Sequence, residues 1–563
     1  MLAGRDRLVR VESGETCFYG AYSELSFILR TLELFEEKPD ARTNQTFLVV
    51  NDMFNLPLAS PAHLGLGSAT RIPSCEICTA LVEAVFARNH PMLSFLPKHR
   101  IRRMSTLATE LAPVPLSDQS FYLFDSRRHR AEGCRVVLQR ATGHFHAGMA
   151  LLRPMERNDL VSLQAVLCAI VFLISTSRIV VAHSLIAAAC SSVVRLGLHA
   201  TGREKIRAYA TVLRLDFFAS IILNLPPFFQ KDAVPLSRIA RLASRAEAEK
   251  DLPTAAALRQ VCLLAIPLHK TIGTSADGPD GEDSQSVDIR DLEESQTEFH
   301  GWKTDASSLL ACLGRDKEHW IIKHDLEMTY NFGQIILCRP FLHYLRVMAD
   351  GGSISITQSY HALACIKLAS STIVRAQEMM DEGPVLAGFW PSIYTVFLSV
   401  MCLVFLIAAH RGTSTPSRAW QRAAAGIRVI AALKCVDDCS KQCLEVLKVV
   451  TDELSHTVYF DFDELEASVI RNCGKRTSRE ASYALSPLAT EPMGDPSSPL
   501  SKYGNRPPDA SSLAVEDFVN IYTVVESNEA DRMLDQAEEL STEFDFGGMS
   551  LELSGERHDS VES

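Results

Sequence analysis

Between residues 157 and 236 the chain alternates long apolar runs with short, sharp breaks, and this pattern restricts it to packed helices. Asp159 stands as an N-cap before a run whose apolar positions Leu163, Val166, Leu167, Ile170 and Leu173 recur at three- and four-residue spacing. A second run over about 180–196 stops at Gly197, a residue without a Cβ that can take the left-handed conformation closing a helix. A third run carries Leu215-Asp216 and breaks at Asn224-Leu225-Pro226-Pro227, where proline ends any helix. The segment closes on Asp232-Ala233-Val234-Pro235-Leu236.

The same spacing rules extend along the chain and predict an all-α fold. Ser23 is placed to cap a helix bearing Leu25, Phe27, Ile28, Leu32 and Phe35. Helical patterns follow from Leu236 to Lys250 and Ala255 to Leu268, from Trp302 to about 349, and over 355–411, 416–434 and 437–473. Pro340 should bend or end its helix, and Gly351-Gly352 marks a turn. Residues 119–151 suit either a small hairpin (Phe121 to Phe124 with Val136 to Leu138) or broken helices. Residues 273–299 are acidic and rich in Gly, Ser and Asp, and read as a loop.

The order of motifs resembles the middle homology region of fungal zinc-cluster transcription factors. That family's pattern is a helix ending in arginine-leucine-glycine-leucine-histidine, here Arg195 with Gly197, Leu198 and His199, then a helix with leucine-aspartate, here Asp216, then a proline turn, here Pro226. Cys17 to Leu25 resembles the phenylalanine-tyrosine-glycine segment upstream. Trp302, Leu326 to Tyr330 and Ile335 to Phe341, with Arg339 and Pro340, resemble the later tryptophan and arginine-proline-phenylalanine helices, and Cys365 to Ala376 the small-residue helix after them. The resemblance covers roughly residues 15–460. It departs at Ala210, where the family has tryptophan, at Leu213 for tyrosine, and at Leu225 for the arginine before the turn proline.

The family's DNA-binding module holds two zinc ions with six cysteines. Cys75 and Cys78 have the opening two-residue gap, but Val85 stands where the third cysteine should fall and no second pair exists. Zinc is therefore expected only if such a cluster lies upstream of Met1, and promoter DNA is reached through that domain or through a partner protein. No other cofactor is expected. Cys435, Cys439 and Cys443 share one helix face and read as buried small hydrophobes.

The division expected is a loose N-terminus over 1–15, an N-terminal part of the regulatory region over 16–153, the helical middle region over 154–473, an unstructured linker over 474–508, and a tail over 509–563. The tail interleaves acids with Phe518, Tyr522, Phe544 and Phe546, the composition of a disordered activation domain that contacts coactivators. The resemblance implies a nuclear transcription regulator of a metabolic gene set, such as a secondary-metabolite cluster or carbon or lipid catabolism. It also admits a cofactor that binds no DNA, a small-molecule inducer and a dimer.

Composition weighs the alternatives. A net charge of −12 over 563 residues argues against a duplex-DNA surface. Arg5, Arg7 and Arg10, and then His99, Arg100, Arg102 and Arg103, are short basic groups that read as solvated surface. Fifteen cysteines without framework spacing fit a reducing compartment. An enzyme finds little support, since no phosphate-binding glycine loop, nucleophile elbow or metal-spaced histidine pair is present; His144 and His146 lack a nearby acid. Residues 393–409 lack charge, yet at seventeen positions they read as a buried core helix before a membrane span.

Overall fold

The computed structural model describes residues 7–10, 16–20, 22–34, 42–56, 58, 93–103, 141–150, 152, 159–198, 203–229, 235–272, 289–314, 316–381, 390–409, 418–433, 438–454 and 460–465. The fold is all-α, with one two-stranded antiparallel pair among the described residues, β1 (Arg7–Arg10) and β2 (Thr16–Tyr19), at its start. Fifteen helices named here follow. They are α1 (Glu24–Glu33), α2 (Arg42–Asn55), α3 (Leu160–Ser175), α4 (Ile179–Arg195), α5 (Arg203–Leu223), α6 (Leu236–Ala248) and α7 (Leu252–Ile272). Then come α8 (Ile289–Asp305), α9 (Ser307–Cys312), α10 (Lys317–Cys338), α11 (His343–Ala349), α12 (Ile356–Asp381), α13 (Trp390–Ala409), α14 (Arg418–Leu433) and α15 (Asp438–Glu453).

Local chemistry sets the helix ends. The Ser26 amide donates to Ser23 Oγ at 3.2 Å, and the Ser162 amide to Asp159 Oδ1 at 2.8 Å, so both expected caps form. Gly197 has φ +58°, with the Leu198 amide reaching back to the Val193 carbonyl and the Gly197 amide to Val194. This is the glycine-closed helix end that the sequence predicted. Asn224 closes α5 the same way at φ +51°, and asparagine is among the few other residues that tolerate this region. Pro340 ends α10 at Cys338 in a 3-10 turn over Arg339–Leu342.

The helices pack in chain order, α3 on α4, α4 on α5, α5 on α7, α7 on α10, α10 on α12, and α12 on α13 and α14. The last helix, α15, returns to α2 and α3. One core cluster runs through all of these, taking in α1 and α2 as well as the later helices. At its centre α13 is buried at every position but Pro391 and carries no charged side chain, which is why it resembles a span by composition. Helix α7 is also long and apolar enough to cross a membrane, and it too is mostly buried.

Three expectations are corrected. Residues 7–10 are not loose: Arg7 pairs with Tyr19 and Arg10 with Thr16, because backbone pairing with the following segment outweighs the charge of the stretch. The acidic stretch 273–299 is not loop throughout, since α8 begins at Ile289. Its acids Asp291 and Glu294 meet Lys270 of α7 at 3.0 and 2.8 Å, so the acidity belongs to a paired helix face. The helix expected over 437–473 ends at Glu453, and Asp461 accepts from the Glu464 amide to start a separate turn. Of 119–151, residues 141–150 are helical; the stretch 119–140, Phe35, Cys75, Cys78, His199, Cys435 and everything beyond 465 lie outside the described residues.

Candidate functional site

The motif-bearing segments meet at a buried polar junction. Arg339, in the turn after α10, sends Nη1 to Glu24 Oε2 at 2.7 Å and Nη2 to the carbonyl of Tyr22. Glu24 is 3% and Arg339 4% exposed. The guanidinium carbon sits 4.8 Å from the ring centroid of Phe27, one turn along α1, and Phe27 stacks on Phe405 of α13 at 6.3 Å. The turn residues thus grip the start of α1 from three sides. Burial pushes the Glu24 carboxyl up, with Arg339 opposing.

Gly20 continues the junction. A Cβ there would sit 2.5 Å from the Asn224 carbonyl oxygen, so only glycine lets the strand end lie against the close of α5. Asp216, fully buried on α5, accepts from the Phe228 amide at 3.1 Å and the Phe229 amide at 3.0 Å. These bonds hold the Asn224-Leu225-Pro226-Pro227 turn against its own helix. Burial raises the Asp216 carboxyl to about 6, although both amides pull the other way.

A second buried layer lies between α5, α7 and α10. Arg214 Nη1 donates to Gln260 Oε1 at 2.7 Å and lies 3.6 Å from Asp325 Oδ2. Gln260 Nε2 donates to Thr329 Oγ1 at 3.2 Å. Burial lowers the Arg214 and raises the Asp325 pKa, the latter to about 6. Beside this layer Trp302 Nε1 donates to the Arg259 carbonyl at 3.0 Å, and its ring lies 5.9 Å from that of Tyr330.

The expected motif residues therefore divide by role. Arg195, Gly197 and Leu198 act locally at the end of α4, where Arg195 is exposed and Leu198 buried. Asp216 and the exposed Pro226 share the turn, and Arg339 with the half-buried Pro340 joins that region's neighbour Gly20 through Tyr22 and Glu24. Phe518, Tyr522, Phe544 and Phe546 lie outside the described residues. Sequence reasoning missed Glu24, Arg214, Gln260 and Asp325. For Arg214 the available signal was a charge inside an otherwise apolar run; Glu24 carried none beyond its place after the Ser23 cap. Cys439 and Cys443 are buried, as expected.

Every charge of the junction faces an opposite charge or a backbone dipole, so the arrangement holds segments together and offers no nucleophile with its base. Among the described residues no group of three His, Cys, Asp or Glu side chains could hold a metal ion.

The chain is similar to fungal activators of stress genes. It is 21% identical over 417 residues to the Activator of stress genes protein 1 of Candida albicans, a match covering 63% of this chain and 42% of that protein. To the Activator of stress genes 1 of Saccharomyces cerevisiae it is 25% identical over 286 residues, covering 47% and 30%. A further Saccharomyces cerevisiae protein, whose description as a transcriptional regulatory protein is still provisional, is 26% identical over 167 residues, covering 29% and 21%. The chain spans less than half the length of these relatives. No family model matches it. No solved structure gives a significant match.

Proposed function

We propose that the chain is a regulator of transcription acting in the nucleus, and that its helical body is the part that receives a signal. The similarity over 63% of the chain to a protein named an activator of stress genes carries this reading. The buried junction supports it, because a bundle whose distant segments are tied by paired charges suits the holding and release of a conformation better than bond chemistry. Coactivators are met through the acidic tail, and promoter DNA through a six-cysteine zinc cluster outside these 563 residues or through a partner protein. A small-molecule inducer and a second copy of the chain are further partners in this proposal.

For the target genes, the motif resemblance favours a metabolic set such as a secondary-metabolite cluster, and the relatives' names favour stress genes. Chromatin immunoprecipitation of the tagged chain, paired with transcript profiling of a deletion strain, separates the two. Occupancy at promoters whose transcripts fall on deletion is expected. A chain absent from chromatin, with no transcripts altered, would overturn the reading.

A further inference from the structure

Cys365 of α12 donates its thiol hydrogen to Cys402 Sγ of α13 across 3.9 Å, joining positions 37 apart in sequence. Both are buried, as is Cys338 at the end of α10, whose charge would be felt by both. The two helices pack against each other, α12 also packs on the Arg339 turn, and α13 carries the Phe405 that stacks on Phe27. A thiol pair in van der Waals contact between adjacent helices bonds when the sulfurs close by about 2 Å.

We propose that Cys365 and Cys402 are a peroxide-dependent disulfide site that locks α12 to α13 beneath the Arg339–Glu24 junction. The thiolate of one cysteine attacks an oxygen of hydrogen peroxide; the O–O bond breaks, a sulfenic acid forms and water leaves after protonation. The second thiol then attacks that sulfur, the S–S bond forms, and its proton leaves with the hydroxyl as a second water. The two sulfurs together give up two electrons and the peroxide is reduced to two waters. Burial holds the Cys365 thiol well above its ordinary range, so little thiolate is present and the bond forms slowly under peroxide, while a reducing compartment keeps both sulfurs as thiols. The exposed thiol Cys312 does not share this delay.

The test uses the reduced full chain, treated with hydrogen peroxide under native conditions, alkylated, digested and analysed by mass spectrometry. The expected product is a Cys365–Cys402 linked peptide, lighter by about 2 Da than its two thiol peptides and split by dithiothreitol. It should come with a rise in Tm of roughly 3–5 °C. Cys365→Ser and Cys402→Ser should each lose the product, and Cys338→Ser should keep it. If Cys312 is oxidised while the linked peptide never forms, the proposal fails. It fails equally if the link needs denaturant or joins Cys402 to Cys338. The wild-type digest alone decides this, whether or not the serine variants fold.

Discussion

Arg339 and Glu24, 315 positions apart in sequence, form an ion pair at 2.7 Å inside the core. Through it the turn after α10 fixes the first turn of α1, and the Tyr22 carbonyl and the Phe27 ring complete the grip on the guanidinium. Such a pair contributes less to net stability than to selecting one arrangement, since both partners lost water to enter the core.

Removing one partner should therefore cost more than removing both. Arg339→Met or Glu24→Leu leaves an uncompensated buried charge and should lose about 3–5 kcal/mol. Glu24→Leu with Arg339→Met should lose distinctly less. Urea unfolding of the two singles and the double variant checks this; equal, additive losses would show that the charges do not interact.

Gly197→Val should lose at least about 1–2 kcal/mol from backbone strain alone, because φ is +58° and no atom lies within 4 Å of the added Cβ. Gly197→Asn should lose less. Thermal melts compare them, and an unchanged Tm for the valine variant would contradict the helix-end geometry.

Asp216 and Asp325 each contribute stability on the acid side. Both folded pKa values, about 6, lie above the ordinary 3.8, so the folded chain binds more protons than the unfolded chain between those values. Their contribution is full below pH 3.8, falls as pH rises through about 6, and is then flat, a loss on the order of 2–3 kcal/mol per group. Asp216→Asn should remove its share of that slope in denaturant titrations from pH 4 to 8. A variant that keeps the full wild-type slope would show that Asp216 ionises normally.

These relationships differ in how far they could be read from the sequence. The Ser23 and Asp159 caps, the Gly197 helix end and the Pro340 break depend on neighbours within five residues, so residue type and spacing reveal them. The core position of α13 follows from its uninterrupted apolarity. The grip of Arg339 on Glu24 and the Arg214–Asp325 layer join elements distant in the chain, and no local pattern encodes which charge meets which. The acidic stretch misled because Asp291 and Glu294 answer to Lys270 on another helix. The β1–β2 ladder was missed for a related reason, since its register is set by backbone pairing across the pair.

The chain of 563 residues should show no site-specific, zinc-dependent binding to duplex DNA. It carries a net charge of −12, and Cys75 and Cys78 have no third ligand at Val85. A mobility-shift titration in moderate salt, with and without a chelator, tests this. A specific, chelator-sensitive complex at nanomolar protein would contradict it.

The central claim, that the chain regulates transcription, is tested most directly by tethering. The full chain and residues 509–553 are each fused to an unrelated DNA-binding domain and placed over a yeast reporter. Both fusions should activate. Replacing Phe518, Tyr522, Phe544 and Phe546 with alanine should abolish activation at unchanged net charge, since buried aromatic contacts supply most of the affinity for a partner groove. Silence of both fusions, each present in the nucleus at normal level, would contradict the account.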